Sequence, residues 1–278
     1  MPAAATSALV TAAHTCGNGV AAFNVITLEH AEAVVTAAET TGLPVILQVS
    51  ENAVKFHAGR VEPVLAGAAA IARDAVVPVA LHLDHVTDEE LLRAGVSAGV
   101  SSVMFDGSAL PYEDNVRTTA RITEWAHPLG VWVEAELGEV GGKDGAHAPG
   151  ARTDPAEAAA FVAATRVDAL AVAVGSSHAM TERTARLDLE LVARLRDAVD
   201  VPLVLHGSSG VPDDELRRAV TAGMCKINIG TALNLAYTAS VRDHLTADPA
   251  LVDPRRYLSP ARDAMAATAA HLLRVLSA

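Results

Sequence analysis

The sequence predicts an α/β protein of the (β/α)8 TIM-barrel class, formed as a single domain over residues 1–278. Three observations predict it. Eight short runs rich in Val, Ile, Leu and Ala alternate with segments of helical period, the connections between them are short, and polar residues collect where the runs stop. Barrels of this kind run to about 250 residues as one unit. Hydrophobic residues make up 51% of the chain and charged residues 19%, which supplies a large core without low-complexity sequence.

A short helix at 6–14 precedes the first strand, 19–25 (GVAAFNV), and a helix at 28–41 that Gly42-Leu43-Pro44 ends. The second strand is 45–50 (VILQVS), followed by a helix at 60–75. The third strand is 77–84, after which Asp88 caps a helix running to Ala98, with Glu89 and Glu90 placed to offset the helix dipole in its first turn. The fourth strand spans 100–106, and Pro111 opens a helix that stops near Pro128-Leu129-Gly130. The fifth strand, 131–137 (VWVEAEL), runs into a Gly-rich stretch that continues to about Arg152 and reads as a lid. Thr153-Asp154-Pro155 opens a helix to Thr165, and the sixth strand is 168–174. A helix at 187–199, a strand at 201–206, a helix at 213–222 and a strand at 224–229 complete the alternation, and helices at 232–245 and 259–276 close the chain.

Composition narrows the function. A formal net charge of -12 argues against nucleic acid or an anionic membrane as partner, since phosphate backbones require a basic patch. It leaves room for a small phosphorylated ligand, which a metal ion, a few cations and helix N-termini can hold. No apolar run is long enough to cross a bilayer, and the N-terminal segment lacks the basic and long apolar regions of an export signal, so the expected location is the cytoplasm. Cys16 and Cys225 lack CxxC spacing, which fits a reducing compartment.

The C-terminal ends of the predicted strands carry Asn24, Ser50, Asp84 with His85, Asp106, Glu134 and Glu136, Ser176 to His178, His206 to Ser209, and Asn228 with Thr231. In a (β/α)8 barrel this is the catalytic face, so the pattern predicts an enzyme. His85, His178 and His206 fall at the ends of the third, sixth and seventh strands, and three neutral imidazoles around one divalent ion form a catalytic zinc arrangement with a position open to substrate. His14, His30, His57, His127, His244 and His271 lie on helices or connections and read as surface or core residues, while His147 sits in the Gly-rich stretch. His82 shares the two-residue parity of Asp84 and reads as an inward supporting group. The same parity turns Asp84 toward the barrel axis, where a carboxylate serves as general acid or base. Glu134, Glu136 and Asp106 read as partners that orient the imidazoles, as a second cation site, or as a buried ion-pair network. HGSSG at 206–210 and NIGT at 228–231 place small residues where backbone amides approach an anion after strands seven and eight.

These residues resemble the class II (metal-dependent) fructose-bisphosphate and tagatose-bisphosphate aldolases. The resemblance runs from about 17 to 265 through AFN at 22–24, LHLDH at 81–85, SVMFDGS at 102–108, VEAELGEVGG at 133–142, GSSH at 175–178, LHGSSG at 205–210, KINIGT at 226–231 and DPRRY at 253–257. It implies reversible cleavage of a phosphorylated ketose, of fructose 1,6- or tagatose 1,6-bisphosphate type, to dihydroxyacetone phosphate and an aldehyde. It implies His85, His178 and His206 as ligands of one Zn2+ per subunit, with a monovalent cation as a further candidate, and Asp84 as the catalytic acid/base. Gly207, Ser209, Asn228 and Thr231 would hold the phosphate, with Asn24 and Ser50 as further substrate contacts, and Asp106 and Glu136 would stand behind the metal. Arg255 would meet the distal phosphate from a neighbouring subunit of a homodimer or homotetramer. Asp144 and His147 are the lid candidates for the remaining proton transfer. Three positions depart from the family pattern: Ala179 stands where Gly often follows the histidine ligand, the lid is poor in acidic residues, and Gly230 replaces a polar residue. The competing readings are a metal-dependent aldolase for another ketose phosphate, a Schiff-base aldolase using Lys226, and a metal-dependent hydrolase; a non-catalytic sugar-phosphate sensor ranks last.

Overall fold

The structure, a computed structural model, describes residues 4–137 and 152–277. In chain order its elements are α1 (Thr6–Cys16), β1 (Val20–Asn24), α2 (Leu28–Thr41), β2 (Val45–Ser50), α3 (Glu51–Phe56), α4 (Glu62–Asp74), β3 (Val79–Val86), α5 (Glu89–Ser97), β4 (Ser102–Phe105), α6 (Tyr112–Ala126), β5 (Trp132–Leu137), α7 (Pro155–Thr165), β6 (Ala169–Val172), α8 (Leu189–Ala198), β7 (Leu203–Leu205), α9 (Asp213–Ala222), β8 (Met224–Ile229), α10 (Thr231–Ala247) and α11 (Arg255–Leu276). The eight strands pair in parallel with their sequence neighbours, and β8 pairs with β1, so the sheet closes into the predicted (β/α)8 barrel.

Most element ends differ from the sequence reading by one or two residues, and four differences have a clear local setting. Helix α3 was not predicted, because six residues are too few to show a helical period; the Ser50 hydroxyl starts it by accepting from the Ala53 amide. Helix α4 begins at Glu62, two residues later than expected, with Pro63 in its first turn. Strand β3 continues to Val86 and does not stop at Asp84. Helix α11 starts at Arg255, where Asp253 accepts from the Arg255 amide, so Pro260 lies inside the helix and does not open it.

Side chains of the strands alternate between two apolar environments. One set packs outward beneath the helices and includes Phe23, Leu47, Leu83, Val103, Val133 and Leu170. The other faces the barrel axis. Near the strands' N-terminal ends this inner set is apolar, with Val20, Ala22, Ile46, Ala80, Trp132, Ala169 and Val204 packed around Leu9 and Val10 of α1, which closes that end. Higher along the same strands the inner residues become Gln48, His82, Asp84, Glu134, Glu136, His206, Lys226 and Asn228, all of them buried. Among the described residues no helix is long and apolar enough to cross a membrane.

Candidate active site

A cavity of about 390 Å3 opens at the C-terminal ends of the strands. Of the sequence-predicted candidates, Asn24, Ser50, Asp84, His85, His178, Gly207, Ser209, Asn228 and Thr231 line it. An adjoining lobe of about 440 Å3 is lined by Asp106, Glu51, Lys55 and Thr87, and it shares His85 and His178 with the first. His206 and Glu136 are fully buried behind this surface.

Strand parity alone would turn His85 away from Asp84. The backbone resolves this: His85 adopts φ +50°, and the β3–β4 register shifts between Leu83 and Val86. Such a bulge in a left-handed conformation costs a non-glycine residue roughly 1–2 kcal/mol and re-aims its side chain. The sequence reading placed His85 just past the end of its strand; it lies within β3, on this bulge. His206 follows β7 at the inward parity of Val204. Gly207 then takes φ +66°, and a Cβ there would stand 2.6 Å from the Ser177 carbonyl, so only glycine lets the loops after β6 and β7 approach this closely. The result is a triangle of imidazoles, with ring centroids 4.5 Å apart for His85 and His206, 5.1 Å for His85 and His178, and 5.9 Å for His178 and His206.

Carboxylates stand behind these rings. The Nδ1 of His85 is 2.8 Å from Oδ2 of Asp106, whose other oxygen accepts from the amide and hydroxyl of Ser108. His206 donates from Nε2 to Oε1 of Glu134 at 3.0 Å, and its Nδ1 lies 3.2 Å from Glu136. Burial opposes a charge on His206, but the hydrogen bonds and charges of Glu134 and Glu136 outweigh it and push the imidazole up to about 9. Burial likewise opposes ionisation of Glu134, and the ammonium of Lys226 reverses this, holding the carboxyl below its usual range.

Asp84 is gripped from two sides. Gln48 donates to its Oδ2 and Asn228 to its Oδ1, each at 3.3 Å. Burial raises its carboxyl, but the neighbouring His85, Lys226 and His206 outweigh that and keep it below the usual carboxylate range. His82 lies inside the barrel, as parity predicts, and the hydroxyls below it fix its tautomer. Ser101 donates to the Leu81 carbonyl, Thr6 donates to Ser101, and Ser102 donates to Thr6, so Ser102 accepts from Nδ1–H of His82 at 2.7 Å. Burial, helped by Lys226, pushes the His82 imidazole down to about 3, which keeps it neutral.

Gly207, Ser209 and Thr231 line the same cavity as small and hydroxyl-bearing residues. The hydroxyl of Ser209 accepts from the Ala232 amide at the start of α10, beside Thr231 and Gly207. Gly230 faces Asn24, and a Cβ there would stand 3.0 Å from its Oδ1. Arg255 is not brought to this cavity within one chain; its exposed side chain pairs with Asp253 at the start of α11. Asp144 and His147 lie outside the described residues. Ala179 lines both lobes with φ +58°, a conformation that explains the preference for Gly at this position.

The residues fit a divalent metal. One ring nitrogen from each of His85, His178 and His206 lies within 4.8 Å of the other two, and Asp106 and Glu134 each fix the opposite nitrogen of a ligand. Sequence reasoning did not identify Gln48 as the second amide on Asp84; its inward parity between Ile46 and Ser50 was the available signal.

Comparison with known proteins agrees with this geometry. The family described as fructose-bisphosphate aldolase class-II matches residues 4–278. A fructose-bisphosphate aldolase of Geobacillus stearothermophilus is 42% identical over 250 residues, 88% of this chain and 87% of the relative. The crystal structure of the YdjI aldolase from Escherichia coli K12 superposes with a TM-score of 0.86 at 34% identity, covering 98% of this chain and 97% of the other. The fructose-bisphosphate aldolase of Campylobacter jejuni gives a TM-score of 0.79 over 97% of this chain and 93% of its own, and its 24% identity bears on the fold alone.

Proposed function

The chain belongs to the class II fructose-bisphosphate aldolase family of carbon–carbon lyases, and we propose that it cleaves a phosphorylated ketose of fructose 1,6- or tagatose 1,6-bisphosphate type. The products are dihydroxyacetone phosphate and an aldehyde such as glyceraldehyde 3-phosphate. The observation that carries this reading is the placement of a doubly held carboxylate, Asp84, beside the imidazole triangle in one cavity with Gly207, Ser209 and Thr231.

His85, His178 and His206 would hold one Zn2+ per subunit, which when bound draws electrons from the substrate carbonyl and steadies the negative charge that develops there. Asp84, ionised by its cationic neighbours, takes the proton of the C4 hydroxyl as the C3–C4 bond opens and the C4 oxygen becomes the aldehyde carbonyl. The bond electrons pass to the dihydroxyacetone side, whose C3 is then protonated by a lid group, Asp144 or His147. In condensation Asp84 returns its proton to the new hydroxyl. Gly207, Ser209, Asn228 and Thr231 bind the phosphate of the dihydroxyacetone half, with Asn24 and Ser50 along the cavity wall, Asp106 behind His85 and Glu136 beside Nδ1 of His206. A monovalent cation is a further candidate ligand beside His178.

Arg255, exposed at the start of α11 and paired there with Asp253, would turn to the distal phosphate of a neighbouring subunit's substrate in a homodimer or homotetramer. The acidic net charge supports a partner that is a small sugar phosphate and not nucleic acid or membrane, and we place the enzyme in the cytoplasm. The Schiff-base alternative is disfavoured because Lys226 is buried in an ion pair with Glu134, 2.8 Å away, and does not line the cavity.

A panel of phosphorylated ketoses, with the two C4 epimers compared directly on the zinc-loaded enzyme, tests the proposal. Release of dihydroxyacetone phosphate from a ketose bisphosphate is expected; turnover confined to phosphate-ester hydrolysis would contradict it.

A further inference from the structure

We propose that Lys226 is a positioning residue: its buried ammonium fixes the side-chain amide of Asn228 and, through it, the carboxylate of Asp84. The inference rests on the aldolase reading above and assigns that site a part that does not touch substrate. Lys226 is fully buried, a costly place for a charge that packing alone does not require. A register shift between β7 and β8 around Cys225 brings its side chain inward, at the same parity as Asn228.

An ammonium carries only donors. Nζ of Lys226 donates to Oδ1 of Asn228 at 2.8 Å and forms an ion pair with Oε2 of Glu134 at the same distance. Asn228 must therefore present its oxygen to Lys226, and the other end of the amide, Nδ2, then faces Oδ1 of Asp84 at 3.3 Å as a donor. The flipped amide would set oxygen against carboxylate and N–H against ammonium, two repulsions in a buried site. Gln48 holds the second Asp84 oxygen without help from Lys226. The Asp84 carboxylate plane thus has two supports, one of which depends on the ammonium. Through Glu134 the same ammonium also leaves Oε1 to His206.

Lys226→Met alone strands the Glu134 charge and can fail to fold, so the test uses the doubly neutral variant Lys226→Met with Glu134→Gln, compared with the Glu134→Gln single variant. Four readouts are taken: metal content, kcat and KM for ketose cleavage, and solvent-deuterium exchange of the dihydroxyacetone phosphate C–H, a step that does not use Asp84. The expected double variant holds metal, loses about 100-fold in kcat beyond Glu134→Gln, and loses far less in exchange. Adding Asn228→Ala to it is expected to lower kcat little further, although Asn228→Ala alone lowers it substantially. Cleavage at the rate of Glu134→Gln would overturn the inference and leave Lys226 as a mere counterion. Parallel loss of metal, cleavage and exchange would also overturn it, since the effect would then run through the metal ligands. A failure of the aldolase reading is visible separately, as absence of exchange in the unsubstituted enzyme.

Discussion

The lower and upper halves of the barrel interior are built by the same strands under the same parity, yet they do opposite work. Below, Val20, Ile46, Ala80 and Val204 meet Leu9 and Val10 of α1 in an apolar plug. Two residues beyond Ile46, Ala80 and Val204 the inner positions become Gln48, His82 and His206 and, two beyond His82, Asp84. The lower layer gains from removing apolar surface from water, at about 25 cal/mol per Å2. The upper layer buries charges that are tolerated because they pair with one another, as Lys226 does with Glu134 and Asn228. Stability and chemistry are thereby separated along one axis, and variants in the two layers should separate too.

The largest effects are expected at the top. Asp84→Ala should lower cleavage by about 10^2 to 10^4-fold while metal content stays near that of the parent enzyme. His206→Ala should instead lose the metal, measured as bound ion per subunit after dialysis; normal turnover in either variant would overturn its assignment. In the lower layer Ile46→Ala should cost about 2–5 kcal/mol in urea unfolding with kcat of the folded enzyme unchanged. A matching fall in kcat would show that the layers are coupled. Thr6→Val probes the seam between them, because it removes the hydroxyl that receives from Ser102 and gives to Ser101. A loss of about 1 kcal/mol in thermal unfolding is expected, and no loss would show that the hydroxyl chain is not needed to hold His82. The smallest effect is a gain: Ala179→Gly should relieve the left-handed backbone at φ +58° and raise stability by about 0.5–1 kcal/mol, whereas destabilisation would mean that the Cβ contact matters more than the strain.

Alternation of apolar runs and helical segments was enough to read the barrel, and two-residue parity was enough to place His82 and Asp84 inside it. Parity misplaces His85, because its inward aim depends on a bulge whose left-handed residue is not glycine. The close passage of Gly207 over Ser177 was visible only as a small-residue loop, since the neighbour it must clear lies 30 positions earlier in the chain. Helix α3 escaped because one Ser50 cap and six residues carry too little periodic signal. Arg255 was legible as a motif, but within the chain it pairs with Asp253 away from the cavity. Asp144 and His147 lie outside the described residues.

The most direct test of the account is cleavage activity followed through metal removal and return. Enzyme treated with a chelator is expected to lose nearly all release of dihydroxyacetone phosphate and to recover it with about one equivalent of Zn2+ per subunit. Full activity in protein shown to be free of metal would contradict the role given to His85, His178 and His206.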